Sequence, residues 1–139
     1  MEKVKIVGQT KDTGWQFGVR KSVPLNLNEV WDFMLSEKGI KIWLKGADKE
    51  FSTFKQLSHL RTKWKLKDWS NEATLQMRVI SGKDKTTIAF HIEKLLDEKQ
   101  RKETKIYWDK VIKTITKQIT MLQQTLFSYH YAFQVSANS

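Results

Sequence analysis

The sequence has no cysteine, a single proline and three histidines among its 139 residues. Without cysteine there is no disulfide framework, no thiolate nucleophile and no cysteine-ligated zinc or iron–sulfur site. His59, His91 and His130 stand far apart in the chain, so no local histidine pair suggests a metal. Crossing a bilayer as a helix takes roughly 20 consecutive apolar residues, and no apolar run approaches that length. The opening stretch MEKVKIVGQTKDTGW carries charges but no apolar segment of the secretory kind, so the expected location is the cytoplasm. The phosphate-binding loop G-x-x-x-x-G-K-[ST], the dinucleotide fingerprint G-x-G-x-x-G and the nucleophile elbow G-x-S-x-G are also missing. Carboxylates are scarce, 15 against 25 lysines and arginines, which gives a formal charge of +10. Because the basic residues are scattered, they read first as a solvated surface and only second as affinity for polyanions.

What the chain does have is a core. Hydrophobic residues make up 40% of it and aromatic residues 12%, enough for one folded domain. Six tryptophans, at 15, 31, 43, 64, 69 and 108, supply rings that will dominate whatever core or cavity they line.

Along the chain, WQFGVRKSV alternates, with Trp15, Phe17, Val19 and Val23 on one side and Gln16, Arg20 and Ser22 on the other: a strand with one buried face. Pro24 ends it. Asn26 precedes Glu29 at capping-box spacing, and EVWDFML follows with helical spacing of Val30, Phe33 and Met34. Ser36 can cap a second short helix, EKGIKIWLK, stopped by Gly46. After an ambiguous stretch, with a short strand around Phe51–Phe54, come three alternating runs: HLRTKWKL, ATLQMRVI and IAFHIEKL. They read as an antiparallel meander, with the SGKDK hairpin drawing a positive φ from Gly82. Asp97 and Gln100 cap a long helix from about residue 98 to 124, whose stripe is Trp108, Ile112, Ile115, Ile119 and Leu122. Beyond it, Phe127, Tyr129, Tyr131, Phe133 and Val135 alternate with Ser128, His130, Ala132 and Gln134, a strand pattern in need of an edge to pair with.

The order strand, two short helices, meander, long helix is that of the helix-grip fold. The segments TGWQFGVRKSV, EVWDFMLSEKGIKIWL, HLRTKWKLKDW, ATLQMRVI, KTTIAFHIEKL and YWDKVIKTI resemble bacterial relatives of the C-terminal domain of the activator of heat-shock-protein-90 ATPase. That group lies within the START-like, birch-pollen-allergen-like (SRPBCC) superfamily, and the resemblance covers residues 8–122. It implies an α+β fold: a curved antiparallel sheet with two short helices and a long C-terminal helix packed across its concave face. The whole chain, 1–139, then reads as one such domain with 125–139 an aromatic extension, suited to closing the cavity or to pairing two copies. The stretch before HLRTKWKL is short for the two strands usual there, so a smaller or more open cavity is expected.

The superfamily's cavity implies binding of a small apolar, lipid-like or aromatic ligand. No acid–base pair stands out in the sequence, so neither catalysis nor a cofactor is expected, although some superfamily members are enzymes and a hydrolase or cyclase role stays open. The cavity's expected lining is Trp15, Phe17, Trp31, Phe33, Trp43, Trp64, Met77, Phe90, Trp108, Ile112 and Ile115, with Arg78 and Glu93 as candidate polar anchors at a rim. The alternative is a protein-interaction module that sets its basic surface against an acidic partner such as a chaperone ATPase. Two further motifs read as ordinary structure. His91–Glu93 copies the H-x-E of zinc deaminases without their P-C-x-x-C, and the two should face solvent behind Ile88, Phe90 and Ile92. RTKWKLKDW interleaves basic and aromatic residues, but on a strand Trp64 and its flanking lysines point to opposite sides, which disfavours nucleic acid. Trp69, in the turn, is the ring expected to be partly exposed.

Overall fold

The computed structural model describes residues 8–10 and 14–138, with side chains on the last helix as far as Thr125. Its elements are β1 (Gln9–Thr10), β2 (Gly14–Val23), α1 (Leu27–Leu35), α2 (Glu37–Trp43), β3 (Thr53–Lys55), β4 (His59–Trp64), β5 (Ala73–Gly82), β6 (Lys85–Leu95) and α3 (Glu98–Asn138). The strands form one antiparallel sheet in the order β1-β2-β6-β5-β4-β3. The first long strand therefore pairs with the last, and the meander runs outward from it. This is an α+β fold, with both short helices and the long helix applied to one face of the sheet.

Period-two alternation decides which face that is. Leu60, Thr62 and Trp64 on β4, Ala73, Leu75, Met77 and Val79 on β5, and Ile88, Phe90 and Ile92 on β6 are all buried. Their neighbours Arg61, Lys63, Arg78 and Ile80 are exposed, and His91 and Glu93 are half-buried. Opposite the buried row lies the α3 stripe: Trp108, Ile115 and Ile119 are fully buried and Ile112 nearly so. Lys102, Lys105, Lys110, Lys113 and Lys117 point to solvent. A bulge near the end of β6 sets the phase of the last residues. Between the pairs Phe17↔Ile92 and Trp15↔Leu95, β6 spends one residue more than β2, and Lys94 takes up the excess at φ 62°. Leu95 thereby turns inward again and is buried.

The caps work much as the spacing suggests. Asn26 Oδ1 accepts from the Glu29 N–H at 2.9 Å, but the Glu29 carboxylate takes the Asn26 side-chain amide at 3.0 Å, so the box closes between side chains. Ser36 serves two helices at once: its hydroxyl donates to Phe33 O at 2.6 Å and accepts from the Gly39 N–H at 3.1 Å. At Gly39 a Cβ would come within 2.1 Å of Phe33 O, so only glycine lets α2 turn so tightly off α1. Asp97 Oδ1 accepts from the Gln100 N–H at 2.8 Å. Gln100 itself is buried but fully paired, exchanging two hydrogen bonds with the Asn71 amide at 3.0 and 2.7 Å and accepting from Leu96 N–H at 2.9 Å.

Four expectations need correction. The hairpin's positive φ falls on Asp84 (57°), within the two-residue loop that follows the Gly82↔Lys85 pair, while Gly82 keeps an ordinary strand conformation; aspartate tolerates this region better than most residues. The second helix stops at Trp43, before Gly46. Trp69 is buried, because the turn folds back and sets its ring edge-on against Trp64 at 5.3 Å. Its N–H points to Glu103 at 3.3 Å, while Lys65 Nζ holds its carbonyl at 2.6 Å. Last, the C-terminal segment is no strand: α3 runs unbroken to Asn138. No glycine or proline interrupts residues 98–138, so an established helix can elongate through the alternating stretch, each added residue gaining a hydrogen bond. The orientation of Phe127, Tyr129, Tyr131, Phe133 and Val135 lies outside the described residues.

Candidate functional site

The eleven residues expected to line a cavity fall into three groups. Trp43, Trp64, Met77, Phe90, Trp108 and Ile115 lie in the middle of the core with essentially no exposure. Phe17, Trp31, Phe33 and Ile112 are buried at its margins, and Trp15 is half-buried. The central rings are in mutual contact. Phe90 lies 4.6 Å from Trp108 and 6.2 Å from Trp43, and Trp64 lies 5.4 Å from both Trp108 and Tyr107. Tilted and edge-on pairs of this kind add packing energy beyond the area they bury. Two of the indole N–H groups reach backbone carbonyls, Trp43 to Met34 O at 2.7 Å and Trp64 to Lys45 O at 3.3 Å. Trp108 Nε1 is buried without a partner among the described residues. Burial also raises the Tyr107 phenol above its ordinary value, so it stays protonated.

Open space lies at the edge of this core rather than in the ring cluster. A groove of about 560 Å³ runs between α1, the start of α2 and the distal turns of α3. Its apolar floor is Phe33, Met121 and Leu122, and its polar rim includes Glu29, Asp32 and Lys38. Met121 and Leu122 are 48% and 37% exposed, unlike the four preceding residues of their stripe. Helix α3 simply outlasts the sheet, so its apolar stripe emerges into the groove. Of the remaining polar lining, Ser36 is committed to the α1–α2 joint and Thr125 Oγ1 donates to Met121 O at 3.0 Å. Gln118 Oε1 differs: it is buried with no hydrogen-bond partner among the described residues.

Only Phe33 of the expected lining takes part in this groove. Gln118, Met121 and Leu122 were not among the expected site residues. The signal was present, since Met121 and Leu122 side by side widen the stripe where no strand remains to cover it. Arg78 and Glu93 do not stand at the groove rim; both occupy the opposite face of the sheet, because they alternate with the buried Met77, Val79 and Ile92. His91 Nε2 pairs with Gln16 Oε1 at 3.1 Å and its Nδ1 lies 3.6 Å from Glu93, on that same outer face. Among the described residues no three His, Cys, Asp or Glu side chains converge in a metal-binding group, and no helix is long and apolar enough to cross a membrane.

No protein-family model matches the chain, and no curated protein matches its sequence. Solved structures do match. CalU16 from Micromonospora echinospora superposes with a TM-score of 0.65 at 14% identity, over 76% of each chain. DynU16, a protein of the dynemicin biosynthetic locus, gives 0.65 at 15% identity over 76% of this chain. ChR145 from Cytophaga hutchinsonii gives 0.64 at 13% identity, over 81% of this chain and 99% of that one. The chain shares its fold, an α+β helix-grip arrangement, with these structures. It spans 47% of the length of DynU16, and at these identities the likeness is one of fold. In helix-grip terms, the ring cluster fills the space between sheet and grip helix, and the groove opens where that helix leaves the sheet.

Proposed function

We propose that this helix-grip domain is a non-catalytic binding module for a small, largely apolar molecule carrying a hydrogen-bond donor, seated between α1–α2 and the distal turns of α3. The observation that carries the reading is a groove floored by Phe33, Met121 and Leu122 whose lining includes Gln118, with its Oε1 unpaired among the described residues. A buried acceptor without a partner costs on the order of 1–3 kcal/mol, which a ligand hydroxyl or N–H would recover. The groove's volume falls within the roughly 300–1,000 Å³ usual for small-molecule sites, and its mix of apolar floor and few polar groups is the usual one too.

The test is a matched pair of probes, 2-naphthol and 2-methoxynaphthalene, titrated by NMR or calorimetry. Wild-type protein should bind the naphthol several-fold more tightly, and Gln118→Leu should erase that preference while keeping the apolar affinity. Leu122→Glu, at an exposed position, should abolish both. Binding of neither probe, or an unchanged preference in Gln118→Leu, would refute the reading.

A further inference from the structure

The outer face of the sheet, opposite the grip helix, carries a second arrangement. Register places Arg20, Ala89, Arg78, His59 and Lys55 side by side on five successive strands. The adjacent row is Gly18, His91, Gln76, Arg61 and Thr53. With strands about 4.8 Å apart, the basic row spans roughly 19 Å from Arg20 to Lys55. Gly18 and Ala89 leave the sheet nearly bare between the two long arginines, and a depression of about 370 Å³ opens there, lined also by Gln76, Ile80 and His91.

The charge on this face is largely uncompensated. Arg20, Arg61 and Arg78 make no ion pair with any described residue, and the four ion pairs among the described residues lie at other side chains. Glu93, beside His91, is the only carboxylate at the outward positions of β2 through β6. His59 is held below its ordinary value, by desolvation first and then by Arg78, Lys55 and Arg61, so even the titratable member of the row responds to its crowding. The face also holds no Phe, Tyr or Trp at outward positions, so it lacks the stacking platform of single-stranded nucleic-acid sites. Its one exposed large apolar side chain is Ile80, too little for a lipid surface.

We propose that this face binds a small molecule bearing a diphosphate, with one phosphate in the depression between Arg20 and Arg78 and the other reaching along the row toward His59, Arg61 and Lys55. Guanidinium forks match phosphate oxygens two at a time, and the Gln76 amide adds a neutral donor. A ligand of two to four negative charges balances the row, and Gly18 and Ala89 give it clearance to approach the sheet.

The experiment uses the full chain and inorganic pyrophosphate at low ionic strength, followed by calorimetry and by the His59 ring resonances. Saturable binding is expected, about tenfold weaker in Arg78→Gln and in Arg20→Gln, both exposed positions that should leave the fold intact. Bound pyrophosphate should also raise the His59 pKa. Lys41→Gln, an exposed position on α2 across the sheet, should bind as wild type does. The proposal is overturned by absence of saturable pyrophosphate binding, by equal losses in the helix variant, or by retention of only a single-stranded oligonucleotide, an acidic peptide or anionic vesicles.

Discussion

The two faces of the sheet are built from the same strands and have almost nothing in common. Inward positions of β4, β5 and β6 hold Leu60, Leu75, Met77, Ile88, Phe90 and Ile92, all fully buried on the face that the helices cover. Outward positions one residue away hold Arg61, Arg78, His91 and Glu93, at least partly wet. The difference shows how a chain can devote one face to stability and leave the other free for charge. On the inner face a side chain is chosen by shape, since interiors are packed as densely as crystals. On the outer face it is chosen by what it presents to solvent.

Mutations at neighbouring positions should therefore behave differently. Phe90→Ala empties the space between Trp43 and Trp108 and should lower stability by about 3–5 kcal/mol, read as a shifted urea midpoint. Met77→Ala, directly across the ladder from Phe90, should cost about 2–5 kcal/mol. Because the two are register partners, the double variant should depart from additivity by about 0.5–3 kcal/mol. Strict additivity would mean that the inner face is looser than its ring contacts indicate. His91→Ala, next to Phe90 on the outer face, should stay within about 0.5 kcal/mol of wild type. A loss at His91 matching that at Phe90 would invert the assignment of faces.

Most of that assignment could be read from the sequence. Alternation gave both faces of β4, β5 and β6, and the step of three and four residues gave the buried stripe of α3. Hydrophobic period is a local property, and these elements obey it. What escaped depends on how elements meet. Trp69 lies in a turn whose composition suggests exposure, and only the return of that turn onto Trp64 and Glu103 buries it. The length of α3 depends on helix continuity, which outweighed the alternation of its last third. The groove at Phe33, Gln118 and Met121 needs α1 and α3 side by side, and neither segment alone announces it. The basic row is the clearest case. Lys55, His59, Arg78 and Arg20 are dispersed through the chain, and strand register alone lines them up.

The smallest expected effect bears on the outer face most directly. His59 is disfavoured as a cation by desolvation and by Arg78, Lys55 and Arg61, so its folded-state pKa lies below the value near 6.5 of an unperturbed histidine. In the unfolded chain these neighbours disperse and the ring returns to its ordinary value. Between the two values the unfolded state therefore binds more protons, and stability rises with pH through that window. Above about 6.5 the ring is neutral in both states and contributes no further slope. Acidification through the window should then lower the urea midpoint of wild type relative to His59→Gln, with the two curves parallel at neutral pH. Added salt should shrink the difference, because exposed charges are screened over about 8–10 Å at moderate ionic strength. A His59 resonance titrating at or above its ordinary value would show that the basic row does not act as one field, and the contrast between the two faces would then rest on packing alone.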